Sequence, residues 1–138
     1  MSIVNKVKSL GARVTMEDED IRSRLKKDHD RFRELIGGMN DDNPPSRRRA
    51  LMAELKPNLV AHARAEERTA YDSLIVARTE QEAHTLAREG YVEHALADEL
   101  LTRLTALDAA SEEWLAHAKV LRELLTSHID EEESDTFA

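Results

Sequence analysis

Two copies of the pattern His-x-x-x-Glu, His62/Glu66 and His128/Glu132, stand about half the chain apart, and His29 and His94 each stand alone on a helical face. On an α-helix, residues four apart differ by about 40° and about 6 Å, so an imidazole and a carboxylate at that spacing can reach one metal centre or two adjacent ones. Imidazole and carboxylate donors without thiolate suit iron, manganese or zinc rather than copper(I) or a cluster. Two carboxylates against four imidazoles point to bridging, with each glutamate spanning two metals. A single His-x-x-x-Glu on a helix is ordinarily a surface pair. Here both pairs fall on predicted inner stripes, and two further helices each add an inner histidine. Burying four histidines and two carboxylates in a bundle core would cost several kcal/mol per ion, a penalty that metal coordination removes. The expected metal ligands are therefore His29, His62, Glu66, His94, His128 and Glu132.

Four long helices must carry these residues. The first is predicted to start near Thr15, an N-cap with Glu17, Asp18, Glu19 and Asp20 favourable at the positive end of the helix dipole. Ile21, Leu25, Phe32 and Ile36 mark its inner face, His29 lies on that face, and Gly37-Gly38 with Asn40 to Pro45 make a stop and a loop. A second helix is predicted from about Ser46 to Ala77, with Leu51, Leu55, Leu59, His62, Glu66, Thr69 and Ser73 inward; Pro57 should kink it or mark its true beginning. Thr79 with Glu82 forms a capping box for a third helix bearing His94, Ala97, Leu101 and Leu104. After Asp108 to Ser111, a fourth presents Trp114, Leu121, Leu124, Leu125, His128 and Glu132.

Short connections predict an all-α, antiparallel up-down-up-down four-helix bundle over residues 15–138. Met1 to Val14 precedes it as a short amphipathic lead-in segment. At 1.5 Å per residue, His62, Glu66, His94 and His128 fall at about one level, whereas His29 stands closer to its loop than His62 does. Other candidates are weaker. His117, three turns before His128, is expected in the core or a second layer, and His84 is expected to face solvent. Glu67 and Glu133 point about 100° away from the stripes and are expected outward, or as alternate ligands if the helices are rotated; most of the run Glu131 to Asp135 is expected outward as well.

The composition excludes several classes. The chain has no cysteine, so it has no disulfide, thiolate site or iron–sulfur cluster; this suits a reducing cytosol. A net charge of -8 argues against nucleic acid as a main partner, with Arg47-Arg48-Arg49 the only basic cluster. No run approaches the roughly 18 apolar residues of a membrane span. Four glycines, three prolines and few β-branched residues leave little support for strands.

His29 in LKKDHDRF, His62/Glu66 in LVAHARAEERTAY, His94 in YVEHALADELL and His128/Glu132 in LRELLTSHIDEEESDTF resemble, in that order, the hemerythrin-like family, also called the HHE cation-binding domain. The resemblance covers about Asp20 to Phe137. It implies an antiparallel four-helix bundle around two non-haem iron ions joined by an oxo or hydroxo bridge. Ferritin-like di-iron bundles use Glu-x-x-His on two helices, a pattern absent from this sequence. Two features depart from the oxygen carriers of the family. Gly90 stands where they place a second histidine one turn before the helix-three ligand, and Glu132 follows His128 by four residues rather than five. Two six-coordinate irons would then keep about two open positions rather than about one, and Tyr91 is a further candidate donor.

The leading expectation is a cytoplasmic non-haem di-iron protein that binds or senses oxygen, peroxide or nitric oxide, or handles iron. His29 and His62 would serve one iron, His94 and His128 the other, with Glu66 and Glu132 between them. The alternatives are an enzyme with catalase-like or nitric-oxide-reducing turnover, and a metal-responsive regulatory module. A homodimer or a partner protein would engage the N-terminal segment.

Overall fold

The computed structural model describes the backbone of residues 16–68 and 81–136 and the side chains of residues 23–68 and 88–133. The expectations for Met1 to Val14, Thr15, Thr69, Ser73, Thr79 and the His84 side chain lie outside these residues.

Four helices make up the described chain: α1 Met16–Gly37, α2 Pro45–Glu66, α3 Gln81–Ala106 and α4 Glu112–Thr136. Each packs against two neighbours, in the cyclic order α1, α2, α3, α4, and the diagonal pairs make no close backbone approach. Cross-helix partners run in opposite order along the pairs. Asp28 meets His62 while Arg31 meets Glu54, and Glu67 meets His94 while Arg64 meets Asp98 and Lys56 meets Thr105.

One half of the bundle is hydrocarbon. Phe32, Leu35, Leu55, Leu101, Leu104, Trp114 and Leu121 are fully buried there, closed below by Met39 and Ala109 from the two connections. Helix α4 is started by Ser111, whose Oγ accepts the Trp114 N–H at 3.1 Å, so the cap also sets the tryptophan inward. Pro45 occupies the first turn of α2, where its missing N–H costs nothing. The helix runs on through Pro57, which sits on the exposed face.

The first connection absorbs the offset between His29 and His62. Gly38 and Met39 donate to Leu35 and Ile36 carbonyls three residues back, so the winding of α1 continues beyond Gly37 before the chain turns at Asn40. A Cβ on Gly38 would lie 2.6 Å from Leu51 Cδ1, so this position takes only glycine without moving the core. Of the basic cluster Arg47-Arg48-Arg49, Arg48 turns inward. It is buried, with Nε donating to Asn40 O and an η-nitrogen to Ala109 O, both at 2.8 Å. A single guanidinium thus ties the two connections at the apolar end together.

Candidate metal centre

In the other half, the inner stripes change from leucine to histidine and glutamate. His29, His62, Glu66, His94 and Glu132 are buried and His128 is nearly so. Their side chains converge. His29, His62 and Glu66 form one group in which a ligating atom from each lies within 4.8 Å of the others, and Glu66, His94 and His128 form a second. Glu66 belongs to both. Its Oε1 lies 3.4 Å from His62 Nε2, 3.2 Å from His94 Nε2 and 3.7 Å from His128 Nε2. Glu132 Oε1 approaches His128 Nε2 to 2.6 Å. The rings pair in the same way, with centroids 4.9 Å apart for His29 and His62 and 5.3 Å apart for His94 and His128.

Each imidazole is held from behind by a carboxylate on a neighbouring helix. His29 Nδ1 meets Glu133 at 3.0 Å, His62 Nδ1 meets Asp28 at 3.0 Å, His94 Nδ1 meets Glu67 at 2.8 Å and His128 Nδ1 meets Glu93 at 2.5 Å. The four pairs close a ring around the bundle: α1 to α4, α4 to α3, α3 to α2, α2 to α1. A carboxylate can only accept, so each Nδ1 carries a hydrogen, and in the neutral ring that a metal requires each Nε2 turns a lone pair toward the centre. This is the outer arrangement that orients metal-binding histidines and raises their basicity.

Two corners of the ring are reinforced. Arg33 chelates Glu133 through both carboxylate oxygens at 3.0 Å, and Arg64 donates to Glu67 at 2.6 Å and to Asp98 at 2.5 Å. Asp28 and Glu93 are more exposed, at 48% and 31%, and have no arginine partner among the described residues. Each three-residue group therefore contains one arginine-backed histidine and one histidine with a solvent-facing carboxylate.

Glu67 and Glu133 correct the sequence reading, which turned them outward. Both carboxylates sit in the gap between neighbouring helices, where a long side chain 100° from the stripe still reaches the back of an imidazole. At Glu67 the winding also widens to π-type. Asp28 and Glu93 were missed altogether. The signal was adjacency: Asp28 and Glu93 each precede a site histidine, and Glu67 and Glu133 each follow a site glutamate. Of the two places expected for His117, the core is not the one it takes: it is half-buried, with Nδ1 on the Glu113 carbonyl of its own helix at 2.7 Å. Tyr91 is half-buried.

The site's protonation reflects crowding. Burial works against the Glu66 anion, yet the close polar groups of Glu132, His128, His62 and His94 hold its carboxyl well below the usual range. Burial and then the Glu66 charge push Glu132 up to about 8, so one glutamate is ionised while the other keeps a proton. Burial lowers His29, helped by the His62 charge. Burial also opposes the cationic forms of His62 and His128, but their glutamate neighbours outweigh it and raise both.

The residues present fit a metal pair. His62 Nε2, His128 Nε2, Glu66 Oε1 and Glu132 Oε1 are buried and crowded within a few ångströms, yet none has hydrogen-bond geometry to a partner. Polar atoms buried in that way are costly unless something else satisfies them. A cavity of about 20 Å³ is lined by His62, Glu66 and His128, with Phe32, Leu59, Ala97, Leu125 and Ile129 as its apolar wall. That is room for an ion or one water-sized molecule.

Comparison with known proteins adds to this geometry. The chain is 25% identical over 134 residues to a DNA nickase of Nostoc sp. (strain PCC 7120 / SAG 25.82 / UTEX 2576), matching 94% of this chain but only 37% of that protein. No solved structure gives a significant match. A model of the hemerythrin HHE cation-binding domain matches residues 19–138, nearly the whole chain. The chain belongs to the hemerythrin HHE cation-binding domain family.

Proposed function

We propose that the chain holds two non-haem iron ions and uses them to bind or sense dioxygen, peroxide or nitric oxide. The observation that carries this reading is the shared position of Glu66, whose carboxylate is common to two separate three-residue groups. His29 and His62 would hold one ion, His94 and His128 the other, with Glu66 between them and Glu132 as the second bridging carboxylate. Iron bound there would supply open coordination positions and one-electron redox change beside an apolar cavity. The protein's own residues do the rest. Asp28, Glu67, Glu93 and Glu133 keep the Nδ1 hydrogens in place and the Nε2 atoms aimed inward. Phe32, Leu59, Leu125 and Ile129 exclude bulk water from the cavity. Gly90 adds no donor one turn before His94, which leaves a position for an exogenous ligand.

Loading the chain anaerobically with ferrous iron and then admitting dioxygen or nitric oxide tests the proposal. Near-stoichiometric di-iron binding and new visible absorption are expected, both lost in His62→Ala and His128→Ala. An unchanged spectrum on gas exposure of the iron-loaded chain would contradict it.

The low donor count also favours a turnover reading, in which the same centre decomposes peroxide or reduces nitric oxide. Steady-state consumption that disappears with His62→Ala would select it over equilibrium binding. A regulatory reading draws on the Nostoc DNA nickase, of which this chain matches about a third. There the domain would report metal or gas state to another protein or segment, and a metal-dependent change in mass would support it. The net charge of -8 favours a small ligand over nucleic acid as the direct partner. The absence of cysteine suits a reducing compartment, and we place the protein in the cytoplasm.

A further inference from the structure

A groove of about 520 Å³ lies between α1 and α2, outside the inner donors. Arg24, Lys27 and Arg68 line it, with Leu25, Ala61 and Ala65 as an apolar floor and Asp28 and His62 at its inner end. The three cations are exposed, and no ion-pair partner faces them among the described residues. On the same two helices Arg31 is engaged with Glu34 and Glu54, Arg33 with Glu133, and Arg64 with Glu67 and Asp98. Among the described residues, three cations against the carboxylate of Asp28 leave the groove at about +2 in a chain of net charge -8.

A concave wall with that excess, two forked guanidinium groups and one ammonium fits a dianionic phosphate group. Guanidinium matches phosphate oxygens bidentately and ammonium adds a point charge. The volume exceeds that of phosphate alone, so the apolar floor has space for a small organic substituent. We propose that this groove is a binding site for a dianionic phosphate, free or as a small monoester. Bound there, the anion would lie against the open Asp28–His62 corner of the ring. The arginine-backed His29 and His94 corners face other helix pairs. The proposal does not rest on the metal reading, because the groove residues other than His62 are outside the inner donor set.

The test is a titration of the complete chain, treated with chelator, with inorganic phosphate and with glycerol 1-phosphate at low ionic strength. Binding is followed by calorimetry and by amide shifts in ¹H–¹⁵N spectra. Saturable binding is expected, with shifts centred on Leu25, Asp28, Ala61, His62 and Ala65. Arg24→Gln/Arg68→Gln should weaken it at least tenfold, while Arg49→Gln/Lys119→Gln, which removes two exposed cations away from the groove, should leave it unchanged. Tighter binding of the monoester would identify an organic phosphate as the occupant, and equal binding would identify free phosphate. No saturable binding would overturn the proposal. So would equal weakening in the control variant, or shifts centred on Glu66, His94 and Glu132.

Discussion

The two halves of this bundle are built on the same four helices and solve burial in opposite ways. At the connection end, seven large apolar side chains are sealed from water and one guanidinium pins both loops. At the other end, the same inner stripes deliver four imidazoles and two carboxylates, held by a ring of outer carboxylates. The first half lowers free energy by excluding water. The second raises it unless a cation occupies the centre, and so it is the half available for chemistry. The stable end is what allows the polar end to exist.

The largest effect should come from cutting the stable half. Leu121→Ala, at a site with no exposure, should lose about 2–5 kcal/mol in urea unfolding. The loss should be the same with and without metal. A loss that depended on metal would break the division between the halves.

Glu66→Gln addresses the other half. If metal is present at about a thousand times its dissociation constant, binding stabilises the wild type by about 4 kcal/mol. The variant should lose most of that increment, measured as the shift in thermal midpoint on adding metal. In chelator its stability should stay near that of the wild type, because the change also removes a crowded charge.

The six inner positions were legible from periodicity because they coincide with the leucine stripes: His62 and Glu66 continue Leu51, Leu55 and Leu59, and His128 and Glu132 continue Leu121 and Leu125. The outer ring was not legible that way. A period of 3.6 sorts residues into facing and not facing the axis, whereas Glu67, Glu93, Asp28 and Glu133 point into the seams between helices. Which seam they meet depends on how neighbouring helices are rotated, and one sequence does not specify that. Arg48 was hidden for a related reason, since its partners are carbonyls of two loops rather than side chains.

Smaller effects distinguish the corners of the ring. Glu133→Gln and Asp28→Asn each replace an outer carboxylate by a neutral amide, a weaker acceptor, and should cost about 10–100-fold in metal affinity. Arg33→Gln should cost less than Glu133→Gln, since it loosens that carboxylate without removing it. Equal effects of Arg33→Gln and Glu133→Gln in competitive metal titrations would show that the arginine, not the carboxylate, sets the histidine.

The metal-free chain should also show a pH signature. Glu132 has a folded pKa of about 8, above its ordinary 4.5, so folding retains its proton. Its contribution to stability is complete below about 4.5 and is lost as pH rises through about 8. Glu132→Gln should flatten this decline in urea midpoints between those values. An unchanged slope would place the shared proton elsewhere.

The central claim is that Glu66 joins two metal positions at the polar end. Metal analysis of the chain after equilibrium dialysis against ferrous iron under anaerobic conditions tests it most directly, alongside Glu66→Gln. The account predicts two ions per wild-type chain and loss of paired occupancy in the variant. One ion or none in the wild type, or two ions retained without the Glu66 carboxylate, would contradict it.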